Sequence, residues 1–228
     1  MSGRLNYIFL ILFFLIISCK SSSDFLSRNN EENVFYEVIF KDKEKKKKIY
    51  RQSYSFLSQT RNSISKIKSN GEIIIFKKDK NGVTKSNLRG NTLVMDEPNS
   101  KDISRVILAF PVKKGTKWIT EDKTTLQMKL GYDRVYNTNL KFKAENIIEK
   151  IDDIISINGR RIKNCIKITS YGKTSFNPGP PLANINIEIA TVTWYSKDLG
   201  ILRYKREEKS DSETMGEIFY DKTMILDY

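Results

Sequence analysis

Few residues in this chain could carry out covalent or acid–base chemistry. Of its 228 residues none is His and only two are Cys, at positions 19 and 165. Without His there is no Ser-His-Asp or Cys-His relay, and no His-ligated zinc or haem. Two thiols cannot build a Cys₄ metal centre or a framework of several disulfides. Cys165 is flanked on its strand face by Lys163 and Lys167, whose charges could lower a thiol pKa, but an inert packed thiol is the simpler expectation. Asp152 and Asp153 are adjacent, so on a strand they point to opposite faces and cannot share a proton. No Gly-rich phosphate loop is present, and neither a metal nor a cofactor is expected. A hydrolase working through Ser, Asp or Lys has no local motif behind it, and the chain is read as a non-enzyme.

The remaining thiol stands in a more telling place. Arg4 and the amino terminus supply positive charge, and an unbroken apolar run follows over residues 7–17. As a helix that run would reach about 16 Å, against roughly 30 Å of bilayer hydrocarbon, which suits the core of an export signal and not a membrane span. It ends in Ile16-Ile17-Ser18-Cys19, which resembles the lipobox of bacterial lipoprotein precursors. The commoner form has Leu and then Ala or Ser where this chain has Ile16 and Ile17. The resemblance implies diacylglyceryl modification of the Cys19 thiol, cleavage before Cys19 and often a further acyl group on the new amino terminus. Two or three acyl chains hold a protein at a membrane for practical purposes permanently, at about 0.8 kcal/mol per buried CH₂. Lys20 follows the modified position; the absence of Asp there slightly favours the outer membrane over the inner one.

Three segments are expected: a signal peptide over 1–18, a lipidated terminus and flexible tether over 19–32, and one β-domain over 33–228. Residues 20–32 are rich in Ser and Asn and lack periodicity, the composition of a leash with an rms length of about 20 Å. The full chain holds 40 Lys and Arg against 27 Asp and Glu, and removal of 1–18 takes away Arg4 alone, leaving about +12. An envelope protein rarely meets DNA, so an anionic lipid surface, lipopolysaccharide or acidic wall polymer is the expected neighbour, and nucleic acid is not. The densest charge is Lys43 with Lys45, Lys46, Lys47 and Lys48, interrupted by Glu44. It lies between two strand-like runs and reads as a solvated hairpin tip. The functional alternative is contact with anionic headgroups, worth up to about 1 kcal/mol per Lys.

Beyond residue 33 short β-branched or aromatic runs alternate with turn residues. The runs cover 34–40, 49–57, 73–77, 91–95, 103–110, 125–132, 140–142, 162–169, 185–195, 200–206, 217–220 and 224–226. Between them stand Asn70-Gly71, Asn81-Gly82, Gly90-Asn91, Lys114-Gly115, Asn158-Gly159, Gly172-Lys173, Asp198-Leu199-Gly200 and Tyr220-Asp221-Lys222, and Asn-Gly suits the positive φ of a tight hairpin. An all-β body of antiparallel strands, a β-meander forming a curved sheet or half-barrel, is expected. Ile185, Ile187 and Ile189 share one face; after Ala190-Thr191 the apolar parity shifts to Val192 and Trp194, suggesting a bulge or a strand covered on both sides. The Pro-rich stretch 176–182 reads as a stiff exposed excursion.

Residues 144–156 fit two patterns. Ala144, Ile147, Ile148, Ile151, Ile154 and Ile155 form a helical stripe, while Ile151, Asp153, Ile155 and Ile157 alternate as a strand running into Asn158-Gly159. The Ile content favours strand, and one short helix near 144–156 stays open.

Phe110-Pro111 with Gly115 and Trp118, then Gly159 and Asn164-Cys165-Ile166-Lys167-Ile168, then Trp194-Tyr195 with Gly200-Ile201-Leu202, follow in an order similar to that of a group of β-rich bacterial envelope lipoproteins. The resemblance covers about residues 107–228; where that group often has Val-Pro-Ala-Gly, this chain has Ser156-Ile157-Asn158-Gly159. It implies a curved sheet broadly like that of lipoprotein carriers and transfers no catalytic residue. Trp118 and Trp194 are expected to fill a core or, alternatively, to line an apolar pocket. Taken together the residues suggest a lipid-anchored envelope protein, facing periplasm or cell exterior, that binds a lipid-like ligand. The alternative is an interaction or assembly module, with a filled core, for other envelope proteins.

Overall fold

The computed structural model describes residues 25–26, 33–41, 46–89, 104–130, 134–177, 179, 183–212 and 217–226. Within them the chain forms β1 (Asn33–Lys41), β2 (Lys47–Gln59), β3 (Ser63–Lys68), β4 (Glu72–Lys78), β5 (Gly82–Arg89), β6 (Arg105–Ala109), β7 (Lys117–Leu130), β8 (Arg134–Ile157), β9 (Arg160–Phe176), β10 (Ile185–Ser196), β11 (Gly200–Ser210) and β12 (Glu217–Ile225). All twelve belong to one antiparallel sheet, and the order β6-β5-β4-β3-β2-β1-β12-β11-β10-β9-β8-β7 makes it a meander joined through β1 and β12. The sheet curls into a nearly closed barrel. The all-β antiparallel expectation holds, and the curvature goes further than a half-barrel.

Period-two patterning builds the walls. Ile185, Ile187 and Ile189 are buried while Asn186, Glu188 and Ala190 are exposed, and Val34, Tyr36 and Val38 alternate in the same way on β1. Asn158 and Gly159 take φ of 49° and 79° between Ile157 and its partner Arg160, the two positive values that a two-residue hairpin turn requires.

The favoured strand reading of 144–156 holds, and three other expectations need correction. Residues 144–156 are strand throughout, inside β8, and no helix forms there. The β8–β9 register shifts between Ile148 and Lys150, between Lys150 and Asp153, and between Asp153 and Ile155. The helical stripe does not map onto one face of this bulged strand: Ala144, Ile148 and Ile155 are buried, whereas Ile151 and Ile154 are exposed. Tyr220-Asp221-Lys222 is not a turn but the middle of β12, where Asp221 receives a bidentate contact from Arg203 at 2.9 and 2.6 Å. Gly172-Lys173 likewise lies inside β9, where Gly172 makes room for the Phe142 ring. β3 and β5 have no counterpart among the expected runs. The expected run 91–95 lies outside the described residues. On β10 the register shift falls at Trp194/Tyr195, and Tyr195 is buried.

The edge strands β6 and β7 meet through side chains. Trp118 Nε1 donates to the Val106 carbonyl at 3.0 Å, and Arg105 pairs with Asp122 at 2.9 Å. Asp122 also takes Arg206 of β11 at 3.0 Å, and Arg206 pairs with Glu208 at 2.6 Å. Phe25 and Leu26, inside the stretch read as tether, are buried against Ile64, Val83, Leu108 and Tyr195. The Tyr195 hydroxyl donates to the Phe25 carbonyl, and the Phe25 ring lies 5.3 Å from that of Phe110.

Candidate functional site

A pocket opens in the barrel interior between the walls of β1 to β5 and the β10 to β12 side. It encloses about 580 Å³ of space not filled by atoms, part of it open solvent. Period-two alternation brings its lining inward: Val34 and Tyr36 from β1, Tyr54 from β2, Ile64 and Lys66 from β3, Ile74 and Phe76 from β4. Lys85 of β5 and Lys222 of β12 complete the polar part, and Leu26 covers one side.

The Lys222 ammonium is held by aromatic groups. It donates to the Tyr54 hydroxyl at 2.8 Å and lies 4.3 Å from the Tyr36 ring centroid and 4.7 Å from that of Tyr54. The two rings meet edge-on, centroids 5.3 Å apart, so their faces make a preorganised cation seat. Tyr36 donates in turn to the Ile201 carbonyl at 2.9 Å, and Tyr54 to Gln52 Oε1 at 2.8 Å. Burial pushes the ionisation of both tyrosines upward, so they stay neutral donors at ordinary pH.

The lysines are affected in the opposite sense. Burial, with Arg105 and Lys68 as like charges, lowers Lys85 to about 7 despite Glu72 and Asp122. Burial and the neighbouring Lys85, Lys68 and Arg105 hold Lys222 well below the ordinary lysine range. Both side chains keep some accessible surface through the pocket, yet the surrounding wall takes away most of their hydration. The carboxylates near them are engaged: Glu72 pairs with Lys68, and Asp122 with Arg105 and Arg206. Among the described residues no group of three or more His, Cys, Asp or Glu gathers to hold a metal ion. The site therefore offers apolar wall, hydroxyl donors and amine groups, of which Lys85 is lowered to about 7.

Cys19 lies outside the described residues, as do Lys43 and Lys45. Lys46, Lys47 and Lys48 are exposed where the β1–β2 hairpin narrows, with Lys47 opposite Lys41 and Lys48 opposite Phe40. Trp118 packs half-buried against the core at the seam. Trp194 donates to Asp153 Oδ2 at 3.0 Å, and Lys167, Arg203 and Lys205 each approach its ring at 6.0 Å. Neither Trp borders the pocket. Cys165 is fully buried and its thiol pKa is raised by burial, against the lowering that flanking lysines could cause; Lys163 is exposed and Lys167 pairs with Glu149 at 3.1 Å. Tyr36, Tyr54, Lys66, Lys85 and Lys222 were not singled out by residue type. Their signal is parity: Lys66 stands two residues from Ile64, and Lys222 two from Met224, on the same strand face.

Comparison of the chain with family models, with curated proteins and with solved structures finds no match.

Proposed function

We propose that this protein is a lipid-anchored bacterial envelope protein that binds a lipid-like ligand inside its barrel and catalyses no reaction. The carrying observation is the interior pocket, whose apolar lining of Leu26, Val34, Ile64, Ile74 and Phe76 suits a hydrocarbon chain. The Ile16-Ile17-Ser18-Cys19 junction supports acylation of Cys19, and the excess of Lys and Arg supports residence beside anionic lipid. Lys46 to Lys48 would lean on that surface as an electrostatic contact.

Native mass spectrometry of protein gently extracted from membranes tests the ligand: a co-purifying lipid mass is expected, and bare protein would count against it. Bare protein would instead favour an interaction module, for which exposed Ile49 and Leu57 on β2 offer apolar surface. Cys19→Ala should release the protein from membranes; a variant that stayed in the membrane pellet would remove the anchor from the proposal.

A further inference from the structure

Successive strands of a meander run in opposite directions, so its turns fall alternately at the two ends of the barrel. The connections β2–β3, β4–β5, β6–β7, β8–β9 and β10–β11 gather at one end, and the β1–β2 hairpin lies at the other. Phe25 marks the first end. Its ring packs on that of Phe110, and the ammonium groups of Lys197 and Lys78 stand 5.5 and 6.0 Å from it.

The turns at this end carry an excess of positive charge. Arg61 stands between β2 and β3, Lys80 between β4 and β5, and Lys113 with Lys114 between β6 and β7. Arg161 stands beside the β8–β9 turn and Lys197 between β10 and β11, and all six residues are exposed. Asp79 and Asp198 are the carboxylates on the same turns, and Asp79 accepts from the backbone N–H groups of Asn81 and Gly82 at 2.7 and 3.1 Å. Like charges gathered on neighbouring turns repel one another and add nothing to the fold. Exposed aliphatic side chains are interleaved with them: Leu57 near the end of β2, Ile119 near the start of β7 and Ile154 near the end of β8. Cations alternating with aliphatic groups match the headgroup level of an anionic bilayer.

We propose that this end of the barrel is a docking face for anionic lipid headgroups, with Arg61, Lys80, Lys113, Lys114, Arg161 and Lys197 meeting their phosphates. The inference rests on the membrane-anchored reading above and names the face turned to the bilayer. Lys46 to Lys48 are the other exposed basic cluster. The nine residues of β1, at about 3.3 Å each, set that cluster about 30 Å from the docking face, well beyond a Debye length of about 8 Å. They meet the same bilayer only when the barrel tips onto its β1–β2 hairpin, so the docking face is the resting contact.

The test reconstitutes the full-length protein with vesicles of phosphatidylcholine alone and of phosphatidylcholine mixed with phosphatidylglycerol. Exposed lysines are briefly acetylated and mapped by mass spectrometry. Lys80, Lys113, Lys114 and Lys197 should react about three-fold or more slower on the anionic vesicles, and about 1 M salt should abolish the difference. Lys46 to Lys48 should react equally on both. Protection of Lys46 to Lys48 in place of the other four would overturn the proposal. Equal reactivity of the four on both vesicles, with the protein bound, would overturn it too and leave the anchor standing. Protein that floats with the anionic vesicles alone, and leaves them in salt, would uphold the docking face and remove the anchor. Protein that floats with neither would overturn both.

Discussion

Trp118 Nε1 donates to the Val106 carbonyl oxygen at 3.0 Å, so a side chain clasps β7 to β6, the two strands at the ends of the sheet order. Trp118→Phe keeps most of the apolar area and removes the donor. It should cost about 1 kcal/mol in urea unfolding, the worth of one hydrogen bond, and Trp118→Ala clearly more through lost packing.

Gly172 sits beneath the Phe142 ring. A Cβ there would come within 2.7 Å of Phe142 Cε2 and 2.9 Å of the Lys143 carbonyl oxygen, so the ring has to move and the backbone oxygen cannot move easily. Gly172→Ala is expected to destabilise by about 1–3 kcal/mol despite Ala's smaller chain entropy. A thermal melt equal to that of the parent would contradict this contact.

Stability should rise with pH from about 7 towards 10. Lys85 holds its proton less tightly in the folded chain, at about 7, than in the unfolded chain at 10.5, and Lys222 is shifted the same way. Between those values the unfolded state binds more protons, so raising the pH favours the fold, by an amount on the order of a few kcal/mol; below about 7 the Lys85 penalty is complete and constant. Above about 10 the trend reverses, because Tyr36, Tyr54 and Tyr220 ionise less readily when folded. Urea midpoints measured at pH 6, 8 and 9.5 should climb in the parent and climb less in Lys85→Met.

Cys165 should resist alkylation while the protein is folded. It is fully buried, its pKa is raised, and the sulfur contacts the Ile162 and Lys163 carbonyls at 3.5 and 3.7 Å. Iodoacetamide labelling mapped to this residue should run about 100-fold or more slower in buffer than in urea, since the thiol reacts only through opening.

The strands with apolar alternation were legible from residue types alone: Val34, Tyr36 and Val38 on β1, and Ile185, Ile187 and Ile189 on β10, stand out at once. β3 and β5 did not, and the reason is physical. Their inward positions hold Lys66, Lys68 and Lys85, so a charged residue occupies places where the pattern demands an apolar one. Asp221 and Lys222 made the centre of β12 resemble a turn for the same cause. The residues that line the pocket with charge are the residues that disguised the strands carrying them. The pairing of Lys222 with Tyr54, 168 positions apart in sequence, becomes visible only once β12 and β2 flank β1.

Under the proposed acylation of Cys19, the seating of Phe25 and Leu26 in the barrel would shorten the distance between protein and bilayer. Five residues stand between Cys19 and Phe25, and the six Cα-to-Cα steps, fully stretched, span about 20 Å. With Cys19 acylated, the end of the barrel that holds Phe25 is therefore kept within about one leaflet's depth of the headgroups, and Leu26 carries that constraint to the pocket wall. A hydrocarbon leaving the bilayer for this interior would have almost no bulk water to cross.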